Sequence, residues 1–384
     1  MMLNFSNLAV AFRVDAGAQI GSGHIMRTLT LADALKREGA LVRFVSRQMP
    51  LHFRLLLGDR GHDFVALTEP GDTPPVCDLA HSSWLGTSQS CDATETALAL
   101  SDRRWDWLVV DHYALDCRWE TPMRARTNRI MAIDDLADRV HDCDILLDQN
   151  LVADHGSRYV GKIPTACRAL LGPHYALLQP IYAEMHVRAR PRRHPIRRIL
   201  MFFGAADCDN LTGRSIAAFL QLQRTEIDVD VVLGTDNPHI KLIKQQVSGL
   251  DTIHLHVGLA SLAPLMAAAD LAIGACGATS WERLCVGLPA LVITLADNQR
   301  PVASYLHTEN LVHWIGDKDE ADEPAIARAL ELMLQDVSLT KWSCRCLQVC
   351  DGLGAQKVSQ VMINLSMSNS AKPYDMISFT NLNV

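Results

Sequence analysis

Basic residues are the minority in this sequence: 36 Lys and Arg stand against 43 Asp and Glu, a formal net charge of −7 at pH 7. A chain that tracks a nucleic-acid backbone draws most of its affinity from a basic face, so no nucleic-acid partner is expected. Long apolar runs are missing too. The longest, Leu284 to Ala296, is interrupted by Gly287 and Pro289 and is shorter than the ~20 residues a membrane helix requires, so no membrane partner is expected. The opening stretch, MMLNFSNLAVAFRVD, has no basic n-region and reaches Arg13 and Asp15 too early for a secretory signal. Without one, eleven scattered cysteines read as reduced thiols of a cytoplasmic protein. Cys344, Cys346 and Cys350 form the one local group. On a helix only Cys346 and Cys350 share a face, and no nearby His completes a zinc site, so they read as buried thiols. Neither a Gly-x-Ser-x-Gly elbow nor a His-Glu-x-x-His pair occurs.

What is present is an ordinary globular composition, 48% hydrophobic and 21% charged, over 384 residues. That length exceeds what one core usually organises, so two domains are expected. Short β-branched runs alternate with amphipathic stretches, the pattern of βα units on a parallel sheet. Strands are predicted at 8–15, 40–46, 62–67, 107–111, 129–135 and 144–148. A second set follows at 197–204, 227–234, 252–257, 270–275 and 290–295. Helices are predicted over 24–38, where Met26, Leu29, Ala32 and Leu35 recur and Gly39 supplies a stop, and over 210–222, 260–268, 279–287 and 298–308. The domains are therefore 1–186 and 196–365, joined by the basic, proline-flanked 187–195, with 366–384 as a mobile tail. The two halves look like two copies of one architecture, with no tandem repeat.

Ligands of doubly wound sheets bind outside the carboxyl ends of the strands. The polar residues here gather at those ends: GAQIGSGH (17–24), Asp111-His112-Tyr113 and Asp134-Asp135 in the first half, then GAADCDN (204–210), GTDN (234–237), GACGATSWE (274–282) and ADNQ (296–299) in the second. Two such rims imply a cleft between domains, suited to a sizeable ligand with a charged middle.

The loop GSGHIMR (21–27) fails as a dinucleotide fingerprint, since Met26 stands where the third glycine belongs, and fails as a P-loop, since no Lys-Ser/Thr follows. It remains a tight glycine turn that lets backbone amides approach a ligand, with His24 at the mouth of a helix. There the helix dipole disfavours the imidazolium form, leaving a nitrogen able to accept a proton, although helix capping alone also explains a His at that place. In GACGATSWE, the first helical amides offer an anion site for a diphosphate, and Glu282 can accept from ribose hydroxyls. Thr279-x-x-Glu282 is also a capping-box spacing that needs no ligand, and the residues alone favour that cap. Asp207-x-Asp209 and Asp142-x-Asp144 have the form of metal-binding aspartate pairs but stand where an Asp also caps a helix or turn.

RVDAGAQIGSGHIMRTLTLADAL, VVDHYALD, IDDLADRVHDCDILLDQN, LLGPHYALLQP, FFGAADCDNLT and GATSWERLCVGLPALVITLADNQ, in this order, resemble the nucleotide-sugar hydrolases of pseudaminic acid biosynthesis over roughly residues 8 to 365. That family removes UDP from UDP-2,4-diacetamido-2,4,6-trideoxy-β-L-altropyranose. It is similar in fold to the GT-B glycosyltransferases, including the MurG lipid II transferase. The resemblance implies an α/β, GT-B-like chain of two Rossmann-like domains facing across a cleft. It implies water attack at the sugar C1 with carbon–oxygen cleavage and inversion, with no metal and no cofactor, on a small-molecule UDP-sugar as the partner; the sequence leaves the oligomeric state open, with a monomer favoured. It makes His24 the base and sets Tyr113 beside the reacting sugar. The remaining contacts it implies are Asp15, Gly21, Gly23, Arg27, Asp111 and His112 on the first rim. On the second they are Gly204, Asp207, Asn210, Gly277, Ala278, Thr279, Glu282 on the ribose, and Asn298 with Gln299 at the diphosphate or sugar. The family pattern has Gly-Gly where this chain has Gly204-Ala205, and the added methyl is expected to narrow that loop. A GT-B transferase or a non-catalytic nucleotide-sugar-binding protein would share both rims.

Overall fold

Runs rich in Val, Ile and Leu become strands because branched side chains suit a pleated surface covered on both faces. In this computed structural model, which describes residues 8–17, 19–69 and 78–368, thirteen such strands fall into two sheets. The first contains β1 (Ala9–Val14), β2 (Leu41–Ser46), β3 (Asp63–Ala66), β4 (Trp105–Asp111), β5 (Thr127–Ile133), β6 (Ile145–Asp148) and β7 (Arg168–Leu171). The second contains β8 (Arg198–Phe202), β9 (Asp228–Leu233), β10 (Ile253–Val257), β11 (Leu271–Ala275), β12 (Ala290–Thr294) and β13 (His313–Asp317). The predicted strands are all found, within about two residues. β7 and β13, both edge strands, are additions.

Helices fill the connections: α1 (Gly23–Arg37), α2 (Leu51–Asp59), α3 (Gln89–Ala99), α4 (Cys117–Met123) and α5 (Pro180–Arg188) in the first half. The second half holds α6 (Leu211–Gln221), α7 (Ile240–Gln246), α8 (Ala263–Ala268), α9 (Thr279–Cys285), α10 (Arg300–Thr308), α11 (Glu323–Gln335), α12 (Leu339–Val349) and α13 (Gly354–Ser368). α1 buries Ile25, Leu29, Leu31, Ala32 and Leu35 and stops at Gly39, whose φ of +91° is left-handed and whose amide returns to the Lys36 carbonyl.

Strand order explains where the rims lie. The sheets run β3-β2-β1-β4-β5-β6-β7 and β10-β9-β8-β11-β12-β13, with all neighbours parallel. Chain direction across the sheet reverses at β1/β4 and at β8/β11, and the carboxyl ends there open into a crevice. In register Val14 pairs with Asp111, so the glycine loop and the Asp111-His112-Tyr113 segment leave the sheet side by side.

The two units exchange elements. Tyr182 of α5 packs in the second domain's core with Trp281 and Cys285. α13 crosses back to the first domain, where Ala355, Val358 and Met362 join Ile25, Leu29 and Leu35 in one cluster. The Trp107 indole on β4 donates to Ser366 Oγ at 2.8 Å. The 196–365 span is thus continuous in sequence but divided in space, because the apolar stripe of α13 finds its partner on α1. Of the segment read as a tail, 366–368 finish α13, and 369–384 lie outside the described residues.

Candidate functional site

The turn before α1 is built on Gly21, whose φ of +79° disfavours any side chain and whose amide closes onto the Gly17 carbonyl at 2.7 Å. It delivers His24 and Arg27, one helical turn apart, to the end of β4. Arg27 donates from Nε to Asp111 Oδ2 and from Nη2 to Asp111 Oδ1, each at 2.6 Å. The same Oδ1 lies 2.6 Å from His24 Nδ1. Burial opposes ionisation of Asp111, but the Arg27 charge and then His24 hold its carboxyl well below the usual range. An ionised carboxylate only accepts, so His24 donates to it from Nδ1. Among the described residues Nε2 has no hydrogen-bond partner. Arg27 Nη2 is also 3.2 Å from His24 Nδ1, but both are donors there, so the contact is not a hydrogen bond.

Tyr113 stands edge-on to the His24 ring, centroids 4.7 Å apart, and its hydroxyl donates a short hydrogen bond to Asp135. Asp135 also accepts from Arg27 Nη1 at 2.9 Å. Burial, then the Asp135 charge, keeps Tyr113 a neutral phenol. His24, Arg27, Asp111, Tyr113 and Asp135 thus form one connected network at the ends of β4 and β5.

Two residues expected as ligand contacts belong behind this network. Asp15 is wholly buried, bound by Arg13 at 2.7 and 3.0 Å, by Ser46 Oγ at 2.8 Å and by the Arg47 amide at 2.7 Å. His112, 3% exposed, accepts the Ala114 amide on Nδ1 and sets Nε2 3.3 Å from Asp15. Both side chains are buried behind the rim, where Asp15 joins β1 to the end of β2 and His112 Nε2 faces it. Asp134 is likewise internal, paired with Arg139 at 3.0 Å and His141 at 3.5 Å.

Between the domains lies a cavity of ≈ 300 Å³. Gly23 and Arg27, on either side of His24, line it from the first domain, and Ala205, Ala278, Thr279 and Glu282 from the second. Gln149 and Tyr182 complete the wall between them. α9 has Ala278 at its N-cap and no side-chain cap bond, so the capping-box spacing forms no capping box: Thr279 enters one residue too late. Glu282 is half-buried, and desolvation pushes its carboxyl up to about 7 against weaker pulls from Tyr182 and Arg283. A side chain at Gly277 would meet nothing closer than Gln299 Nε2 at 3.9 Å. Gln299 itself accepts the Leu295 amide at 2.9 Å, and Asn298 is exposed beside it.

The loop after β8 behaves differently. Gly204 has φ +96°, and Ala205, whose φ is not positive, places its methyl over Gly234, where an added Cβ would come within 2.8 Å of it. The extra methyl is therefore accommodated by a glycine opposite. Asp207 accepts the Leu211 and Thr212 amides at 2.9 Å each, and Asn210 Oδ1 the Gly213 amide at 3.3 Å. Both residues cap the N-terminus of α6. Asp209 pairs with Lys318, and Asp142 and Asp144 pair with Arg124. Among the described residues no group of three or more His, Cys, Asp or Glu is placed to hold a metal ion, and no helix is long and apolar enough to cross a membrane.

Sequence reasoning missed Gln149 and Tyr182. Gln149 follows β6 directly, so the strand-end rule that found Asp111 also reaches it. Tyr182 gave no such signal, since its place depends on α5 packing onto the other domain.

No family model matches the chain. It is 26% identical over 301 residues to the UDP-2,4-diacetamido-2,4,6-trideoxy-β-L-altropyranose hydrolase of Campylobacter jejuni, covering 78% of this chain and 96% of that relative. Among solved structures, MurG of Acinetobacter baumannii superposes with a TM-score of 0.63 at 14% identity, covering 93% of this chain and 99% of that one. Phytolacca americana UGT2, complexed with UDP-2-fluoro-glucose and pterostilbene, gives 0.65 at 11% identity, covering 96% and 100%. The fold is GT-B.

Proposed function

We propose that this chain hydrolyses a UDP-linked 2,4-diacetamido-2,4,6-trideoxy sugar to free sugar and UDP, as a step in pseudaminic acid biosynthesis. The observation that carries the reading is the His24–Asp111 pair: an imidazole that donates from Nδ1 to a buried carboxylate, on the helix whose Gly23 and Arg27 line an interdomain cavity. The likeness to the Campylobacter hydrolase supports the substrate class.

In this reading a water molecule attacks C1, its oxygen forming the new bond as the bond from C1 to the UDP oxygen breaks with inversion. The water proton passes to His24 Nε2, and Asp111 stabilises the imidazolium that results. UDP departs as the diphosphate anion, so no strong acid is needed on the leaving side. Amides at 277–279 and the side chain of Gln299 meet the diphosphate, Glu282 receives the ribose hydroxyls, and Tyr113 positions the sugar. The fixed dipoles make a cation redundant.

Incubating the protein with the UDP-sugar in ¹⁸O-water tests the reading. Free sugar carrying the label is expected. Label in UDP means attack at phosphorus and removes the role given to His24. An intact UDP-sugar, with turnover only when an acceptor is added, makes the chain a transferase. His24→Gln is expected to lose about 10²–10⁴-fold in kcat while binding UDP like the parent.

A further inference from the structure

One aromatic group beside the catalytic network has no part in it. The 3₁₀ turn Ser82–Leu85 brings Trp84 to 5.6 Å from the Tyr113 ring, tilted by 32°. His81 stands edge-on to both, 4.6 Å from Trp84 and 5.2 Å from Tyr113. Tyr113 is thereby flanked by His24 on one side and by this pair on the other. The turn is held firmly: Leu85 is buried in the first domain's core, and the Trp84 carbonyl accepts from Gln48 Nε2 at 3.1 Å.

The chemistry of the pair is mixed. Both residues are half-buried, and His81 Nδ1 is shut away from solvent with no hydrogen-bond partner among the described residues. An atom closed to water is closed to a ligand as well, so a ligand meets this ring only through Nε2. Burial lowers the His81 pKa, so the ring is neutral and Nε2 donates or accepts according to its tautomer. The indole adds an apolar face within reach of the same point. A hydroxyl answers only the first of these features and a methyl only the second. A secondary amide bearing a methyl answers both.

We infer that His81 and Trp84 form the recess for an N-acetyl substituent of the sugar, with the acetyl methyl against Trp84 and the amide hydrogen-bonded to His81. The inference rests on the nucleotide-sugar reading above and makes these two residues determinants of sugar specificity, outside the proton-transfer network.

The test is calorimetric binding of the UDP-diacetamido sugar, UDP-glucose and UDP to the slow His24→Gln protein as the parent, and to the same protein carrying His81→Ala, Trp84→Ala or Trp84→Phe. Trp84→Ala and His81→Ala are expected to weaken the diacetamido sugar about ten-fold or more, with UDP and UDP-glucose unchanged. Trp84→Phe, which keeps an aromatic face and guards against a folding defect, is expected to recover most of the loss. Parental affinity for the diacetamido sugar in both alanine variants overturns the assignment, as does an equal loss for UDP-glucose. Binding is read without turnover, so the absence of hydrolysis defeats the proposed reaction while leaving this result intact.

Discussion

Arg27 grips Asp111 at two points, Nε on Oδ2 and Nη2 on Oδ1, both at 2.6 Å, and both residues are almost wholly buried. The guanidinium keeps the carboxylate charged, and the charged carboxylate fixes the proton of His24. A neutral amide in place of Asp111 cannot satisfy Arg27 on both atoms and also accept from His24.

Asp111→Asn is therefore expected to lower kcat by about 10²–10⁴-fold through the wrong His24 tautomer. UDP affinity is expected to stay near parental, because the nucleotide side is built by the second domain. Steady-state kinetics with parallel calorimetry separates the two. A variant that binds UDP poorly and turns over normally contradicts the positioning role.

Glu282 is expected to make nucleotide binding pH-dependent. Its folded pKa, about 7, lies above the free-glutamate value of 4.5. The fold therefore holds a proton that the unfolded chain releases, and stability falls as pH rises from 4.5 through about 7, by up to about 3 kcal/mol. The ionised form is the one that accepts from ribose, so UDP should bind more tightly above pH 7 than below, releasing a proton as it binds. Glu282→Gln should remove both effects and weaken UDP about ten-fold or more at pH 8. Calorimetry in buffers of differing ionisation enthalpy counts the proton directly.

Much of this was legible in the sequence, and the exceptions share a cause. The strand runs, the two rims, the glycine turn and Glu282 each follow from local pattern. β7, sequence RALL, and β13, sequence HWIGD, are short edge strands whose side chains are only partly covered, so they lack the apolar signature of the central strands. Asp15 and His112 stand at strand ends like Asp111, and only the position of Arg13 and the amides after β2 shows them turned inward. The pairing of His24 with Asp111 depends on β1 and β4 being neighbours, a fact of topology.

His141 carries a second pH signature, away from the cavity. It lies between Glu120 at 2.8 Å and Asp134 at 3.5 Å, and against the cost of burial these carboxylates raise its pKa to about 9. A raised folded pKa means stability present in full below pH 6.5 and lost as pH climbs through 9, on the order of 2–3 kcal/mol. Denaturant melts from pH 6 to 10 should show this decline in the parent and a flatter profile in His141→Gln.

Chelation gives a sharp contrast between readings. With amides and neutral side chains meeting the diphosphate, activity is expected to survive excess EDTA unchanged. Loss of turnover with rescue by Mg²⁺ or Mn²⁺ would require a cation-binding carboxylate set and return attention to Asp207 and Asp209.

The return of α13 to the first domain bears on how the protein is made. Val358 and Met362, both fully buried, finish the hydrophobic wall behind the helix that carries His24 and Arg27. A ribosome adding ~5–20 residues per second takes about 10–40 s to pass from the end of β7 to Met362. Throughout that interval the first domain is an unfinished body with one side of α1 bare. The helix that carries His24 and Arg27 gains its backing only after Met362 has been added, so the nascent polypeptide completes the wall behind that helix only once the intervening second sheet has been made.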